Sequence, residues 1–305
     1  MNYQRILNEI GDEVKPLIGR GKVADYIPAL AKVPSHKFGI ALKLLSGKTY
    51  TYGDAYENFS IQSISKVFSL SMALKISEKN IWKRVGREPS GNPFNSLVQL
   101  EHEGGIPRNP FINAGALVIT DYLCSHYNDP ISKLLHFIQK LAGNPSITFD
   151  ANIAKSEKEH GHLNAALAHF LKSYGNLDND VESVLDIYFH QCSISMSCVD
   201  LSNAIFFLAN GGKLGGDAAS VILDPRQTKK VNSLMLTCGT YDVVGDFAYR
   251  VGMPGKSGVG GGIAAVVPGH LSICAWSPEL NHAGNSLLGT KALELFTTKT
   301  QLSIF

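Results

Sequence analysis

The 305-residue chain lacks an excess of either charge: 28 Lys and Arg stand against 26 Asp and Glu, a formal net charge of +2. A nucleic-acid binder needs a basic face to displace counterions from phosphates, and the Lys229-Lys230 pair is too small to be one. A nucleic-acid partner is therefore excluded. No apolar run approaches the ~20 residues of a membrane helix. The N-terminal MNYQRILNEI mixes charge with apolar residues and has no unbroken apolar core of the kind a secretory signal carries. The expectation is a cytoplasmic protein with no membrane partner. Cysteine is sparse as well. Five residues (Cys124, Cys192, Cys198, Cys238, Cys274), widely spaced and without a CxxC pair, fit neither a disulfide framework nor a zinc site, which leaves reduced, buried thiols. His160, His162 and His169 lie near Glu157 and Glu159, but no HExxH or comparable ligand spacing is present, so no metal site is expected. There is no internal repeat and no low-complexity linker.

What is present is an ordinary globular composition, 44% apolar and 18% charged, in a chain long enough for one large domain or two smaller ones. Ile6, Ile10, Val14 and Leu17 fall at helical spacing. FGIALKLL, Ser46-Gly47 and KTYTYGD then read as two strands joined by a tight turn, because glycine supplies the positive φ such a turn demands. The far end repeats this texture: Gly262–Val267, the Pro268-Gly269 turn, Leu271–Trp276, and a helix from about Ser286 to Thr297. Between these flanks the signals are mostly helical, as in SKVFSLSMALKI, Leu163–Lys172, and Leu201–Ala209 ending at Asn210-Gly211. β-rich ends around a helical middle predict an α+β fold. Residues 1–62 plus 236–305 would build one antiparallel sheet flanked by helices, and residues 63–235 an inserted, mostly helical lobe. A cleft between the two is a favoured place for a small-molecule site.

The first chemical candidate is Ser63-Ile64-Ser65-Lys66, an S-x-x-K at the start of an apolar helix. Three residues are roughly one helical turn, so the Ser63 hydroxyl and the Lys66 amine can share a face. Serine is a poor nucleophile until a neighbour takes its proton. Lysine can do so only if burial or a second cation lowers its pKa toward neutrality. Helix-start N–H groups add stabilisation for a developing oxyanion. Alone the motif is weak, since a capping serine followed by a solvated lysine writes the same four letters.

The second candidate is Lys256-Ser257-Gly258, just before the C-terminal strand. Penicillin-binding proteins and β-lactamases open with S-x-x-K and carry K-T-G on a strand that lines the same site. The order here matches, although the intermediate S-D-N is missing and Ser90-Gly91-Asn92 is a poor substitute. Two nucleotide motifs overlap K-S-G and fail. RVGMPGKS has Arg250 where a P-loop requires glycine and is followed by a strand rather than a helix. The pattern from Gly258 ends on Ile263 where GxGxxG requires glycine.

The blocks KVADYIPALA, FSIQSISK, IPRNPFINAGA, SEKEHGHLNAA, VLDIYFHQCS, LTCGTYD and GMPGKSGVGGGI, in order from about residue 20 to residue 285, closely resemble the serine-dependent glutaminase family. That resemblance implies a β-lactamase/transpeptidase-like fold and an amidohydrolase that converts L-glutamine to L-glutamate and ammonia without a cofactor. It implies Ser63 as nucleophile and Lys66 as its base, with the backbone N–H groups of Ser63 and Val259 as oxyanion hole. Tyr241 would sit beside Ser63, as a proton relay or a partner to the leaving ammonia, and Lys256 would tune the charge around Ser63 and Lys66. Asn113, Glu157, Asn164 and Tyr188, with Tyr26 at the rim, would hold the amino-acid end of the substrate. A homodimer or homotetramer is expected. Apart from the resemblance, Asn113 could shape its own turn, Tyr188 could be core, and Glu157 and Asn164, seven residues apart, could share one solvated helix face. A β-lactam hydrolase of the same fold and a non-catalytic glutamine sensor are the competing functions.

Overall fold

The computed structural model describes residues 1–215 and 221–305. At its centre is a five-stranded sheet in the order Thr49–Gly53, Gly39–Leu44, Leu271–Trp276, Gly262–Val267, Gly255–Ser257, with every neighbouring pair antiparallel. Both hairpins lie where the sequence predicts them, and Gly47 turns the first with φ +84°. The two chain ends meet inside this sheet: Gly39–Leu44 pairs with Leu271–Trp276 in the register Gly39 to Trp276 and Leu44 to Leu271.

Alternation along these strands divides the core. Ile40, Leu42, Ile263, Ala265, Ile273 and Ala275 face one cluster with Leu7, Ile10 and Val14 of the Tyr3–Val14 helix and Leu288, Leu293 and Phe296 of the Leu287–Thr300 helix. Ala41, Ala264, Val266, Cys274 and Trp276 point the other way, into a larger cluster shared with the helices of the chain's middle. Both faces are covered, so Gly262–Val267 and Leu271–Trp276 are buried at every position and are apolar throughout but for Ser272.

Three helices of the middle frame the site: Ser65–Ile81, Asn113–Cys124 and Val181–Cys192. Eleven of the twelve residues of Asn113–Cys124 are buried, which makes it the central helix of the group and explains its apolar composition on all sides. Local signals set the helix starts. Asp129, Asp150, Asp180 and Asp224 each accept backbone N–H groups of the following first turn, and Pro130 and Pro225 occupy its opening positions. All five cysteines are unbridged thiols, and no helix among the described residues is long and apolar enough to cross a membrane.

The structure departs from the sequence reading in three places. A second sheet joins Phe59–Ser60, just before the helical region, to Ile194–Met196 and Thr148–Phe149 within it. Strands of two or three residues are too short to display alternation. The run Leu201–Ala209 is two helices, Cys198–Ala204 with a Ser197/Asp200 capping box and Phe206–Ala209. At the N-terminus the helix ends at Val14, and Lys15–Leu17 is a 3-10 turn around Pro16.

A buried ion pair braces the helical region. Arg84 Nη2 lies 2.6 Å from Asp121 Oδ2, whose side chain is fully buried, and the amides of Asp178 and Asn179 donate to the same carboxylate. Burial pushes the Asp121 carboxyl up, but the Arg84 guanidinium and those amides outweigh it and leave it below the usual range. Removing one partner strands the other in low dielectric, so Asp121→Ala should cost about 3–5 kcal/mol in urea unfolding at pH 7. A folded pKa below the unfolded value of about 3.9 makes this stabilisation present above that pH and lost as pH falls through the folded value. The wild-type advantage should therefore shrink below about pH 4. A constant difference from pH 7 to pH 3 would exclude the charge as its source.

Candidate active site

The site begins where the Phe59–Ser60 strand ends. The chain passes through a 3-10 turn, Gln62–Ile64, and enters the helix Ser65–Ile81. Gln62 has φ +48°, a left-handed conformation costly for a residue with a side chain, and it aims the following Ser63 at the helix start. Ser63 is 7% exposed. Lys66 is 1% exposed, and its Nζ donates to Asn113 Oδ1 (2.7 Å) and to the Phe111 carbonyl (3.2 Å). Burial lowers this amine to about 8, against the opposite pull of Cys192 and Glu157.

The opposing wall comes from the C-terminal part of the chain. Lys256, on the edge strand Gly255–Ser257, is fully buried and donates to the carbonyls of Ser257 (2.6 Å) and Gly239 (3.0 Å). Burial, reinforced by the charge of Lys66, holds its amine well below the ordinary lysine range. Its Nζ sits 4.8 Å from the centre of the Tyr241 ring. Tyr241 is another left-handed residue, φ +60°. Burial raises its phenol, opposed by hydrogen bonding to Ser63 and the Val259 backbone, so the hydroxyl stays protonated at neutral pH. Val259 follows between two glycines that allow close approach. A Cβ on Gly258 would lie 2.4 Å from the Ile61 carbonyl, and one on Gly260 would lie 2.1 Å from that of Ser60. The Gly258–Gly260 backbone thus runs directly against the segment that delivers Ser63.

Between the walls is a cavity of about 350 Å³ lined by Tyr26, Ser63, Asn113, Glu157, Asn164, Tyr188 and Val259. Seven of the ten residues singled out from the sequence therefore share one space, while Lys66, Lys256 and Tyr241 are packed around it. Asn113 Nδ2 donates to Asn164 Oδ1 (2.8 Å), which links Lys66 through Asn113 to the far wall. The Tyr26 hydroxyl donates to Glu157 Oε1 at 2.7 Å. Burial raises the Glu157 carboxyl, with Tyr26, Gln62 and the Lys66 charge working the other way. Tyr188 is 2% exposed, and its phenol, pushed up by burial, remains neutral.

Glu157 and Asn164 do not share a helix face. Glu157 is on Ala151–His160 and Asn164 on His162–Ser173, with a break at Gly161, and Glu157 is buried rather than solvated. The sequence reading missed Gln62, Phe94, Asn95, His160, Leu163 and Cys192, which also line the cavity. Phe94 packs on Tyr241 with ring centres 4.5 Å apart, and Ser90 and Asn92 border the same pair, so the loop that carries Ser90-Gly91-Asn92 adjoins the site. A larger cavity of about 660 Å³ adjoins at His160 but contains none of the buried amines or phenols.

This arrangement pairs a buried serine with an amine that can be neutral near pH 8, beneath a cavity offering one carboxylate and four carboxamides. It suits a small molecule with a cationic end and a carbonyl placed at Ser63.

Comparison with known proteins agrees. A family model described as Glutaminase matches residues 21–305. A glutaminase of Aeromonas hydrophila is 58% identical over 301 residues, covering 98% of each chain, and one of Aliivibrio fischeri is 56% identical over 303 residues, covering 99% of each. Among solved structures, the probable glutaminase ybaS superposes with TM-score 0.92 at 35% identity, covering 99% of this chain and 97% of its own. A probable glutaminase from Bacillus subtilis, complexed with 6-diazo-5-oxo-L-norleucine, gives TM-score 0.90 at 32% identity, covering 100% and 98%. The chain belongs to the glutaminase family of hydrolases.

Proposed function

We propose that this enzyme hydrolyses the side-chain amide of L-glutamine through a Ser63 acyl-enzyme. The observation that carries the reading is Lys66: a fully enclosed amine, lowered to about 8, one helical turn beyond a serine that faces a polar cavity. The Ser63 oxygen attacks the amide carbon and its proton passes to Lys66. The oxyanion is met by the N–H groups of Ser63 and Val259. Tyr241, neutral and beside Ser63, relays a proton to the departing nitrogen. Ammonia leaves, water attacks the ester, and glutamate is released with the serine restored. Glu157 pairs with the α-ammonium. Asn113, Asn164, Tyr188 and Tyr26 complete the grip on the amino-acid end. Lys256 places a second amine under Tyr241 and couples to the protonation of Lys66.

We also infer a β-lactamase/transpeptidase-like fold, with 1–62 plus 236–305 as one lobe and 63–235 as the other. The meeting of both chain ends in one sheet and the S-x-x-K/K-S-G order support it. A homodimer or homotetramer rests on the family resemblance, and light scattering on a sizing column tests it.

The Bacillus subtilis relative is complexed with a diazoketone built on an amino-acid chain. That compound places its carbonyl where glutamine has its amide, so here it should alkylate Ser63 with loss of N2, and peptide mapping should find the adduct there. Ammonia release should be at least about 100-fold faster from glutamine than from asparagine, whose shorter chain misplaces the amide relative to Ser63. Equal rates, or turnover only of a chromogenic β-lactam, would overturn the substrate assignment.

A further inference from the structure

Behind the Tyr241–Lys256 wall lies a polar turn that the reaction scheme does not use. Asn281 N–H donates to the Asn285 carbonyl (2.8 Å), and the Asn281 side chain accepts from the amides of Ala283 (3.0 Å) and Asn285 (3.1 Å). The next residue, Ser286, caps the Leu287–Thr300 helix. Its hydroxyl donates to the Ser277 carbonyl at 2.8 Å, just beyond the Leu271–Trp276 strand. The turn is thus fixed to helix and sheet together.

Asn285 is 1% exposed, and its carboxamide is bound at both ends. Oδ1 accepts from the Ser257 hydroxyl, and Nδ2 donates to the Thr240 carbonyl at 3.3 Å. These partners are the chain neighbours of Lys256 and Tyr241. The Ser257 carbonyl in turn accepts from Lys256 Nζ (2.6 Å) and from the Tyr241 hydroxyl (3.4 Å). The same turn runs close to the site: a Cβ on Gly284 would stand 3.7 Å from the Tyr241 ring and 3.8 Å from Val259 Cγ1. A buried carboxamide is costly unless satisfied, and here both ends are satisfied by the segments that carry the site's chemistry. A left-handed tyrosine persists only where its surroundings over-determine it, and the Thr240 tie acts on the residue just before it.

We propose that Asn285 is a positioning residue for the hydrolysis. By tying Thr240 to Ser257, its carboxamide sets where the Tyr241 hydroxyl stands relative to Ser63. This rests on the relay role given to Tyr241 above.

The test is a double-mutant cycle on glutamine turnover, with kcat and KM measured for Asn285→Ala, Tyr241→Phe and the double variant, and thermal midpoints recorded alongside. Asn285→Ala should lower kcat about 30-fold with KM within about twofold, because a misplacement on the order of 1 Å disrupts the transition state more than binding. In the Tyr241→Phe background the same substitution should cost less than about threefold, since the hydroxyl it positions is gone. An unchanged kcat with a lowered midpoint would reduce Asn285 to a structural residue. A full 30-fold loss in both backgrounds would overturn action through Tyr241. Tyr241→Phe at the wild-type rate is a different failure, that of the relay assignment itself. Ser257→Ala cuts the same tie from the other side and carries the test if Asn285→Ala does not fold; it should lower kcat in the same direction, and a wild-type kcat there would overturn the proposal.

Discussion

Ser63→Ala should reduce glutamine hydrolysis by about 10,000-fold or more while leaving glutamine affinity within about threefold of wild type. The first half follows from the acyl-enzyme route, since without the hydroxyl no ester can form and a water in its place lacks the covalent positioning. That loss corresponds to about 5.5 kcal/mol of transition-state stabilisation. The second half follows from where the binding groups sit. Glu157, Asn113 and Asn164 reach the cavity from three other helices and none of them hydrogen-bonds Ser63, so removing one hydroxyl leaves their geometry intact. Ammonia release and calorimetric titration with glutamine read the two halves separately. Residual turnover above about 1% of wild type would remove Ser63 from the nucleophile's role. Loss of binding together with turnover would mean that the substitution had collapsed the Gln62–Ile64 turn rather than deleted a reacting group.

How much of this could be read from the sequence depended on whether a signal was local. The two hairpins were legible because Gly47 and Gly269 mark their turns and the flanking strands are apolar enough to show. Ser63 and Lys66, the proposed nucleophile and base, stood out as a spacing, and K-S-G as their companion by order along the chain. Glu157, Asn164 and Tyr188 carried no such mark. Each sits on a helix whose periodicity explains it as a face or core residue, and only the family resemblance lifted them out. The break at Gly161 turned an apparent shared face into two helices, and it shows the limit of counting by seven across a glycine. What no sequence pattern could show is the backbone at Gln62 and Tyr241. Both are left-handed without being glycine, so the conformation is imposed from outside, by close strand contacts at Gly258 and Gly260 and by ties such as Asn285. Tertiary constraint of that kind leaves no trace in local propensity.

Lys66→Met should slow kcat about 1,000-fold and abolish the acid limb of the rate profile. A general base must be unprotonated to accept the Ser63 proton, and its contribution is typically 10²–10⁴-fold. With the Lys66 amine lowered to about 8 by burial, wild-type kcat/KM should rise roughly tenfold per pH unit below that value and level off above it. The direction is fixed by the sign of the charge: protonation below pH 8 creates the ammonium and removes the base. Lys256 is depressed partly by the Lys66 charge, so the two titrations are linked and the limb belongs to the pair. Methionine fills the lysine's volume without a titrating group, so it separates lost chemistry from lost packing. Asn113 would lose the partner at its Oδ1, and a modest rise in KM should accompany the change because the Asn113 side chain is then held by Asn164 alone. An acid limb that persists in Lys66→Met with an unchanged midpoint would show that another group takes the proton. Lys256 would then be the first to test, as the other buried amine beside Tyr241.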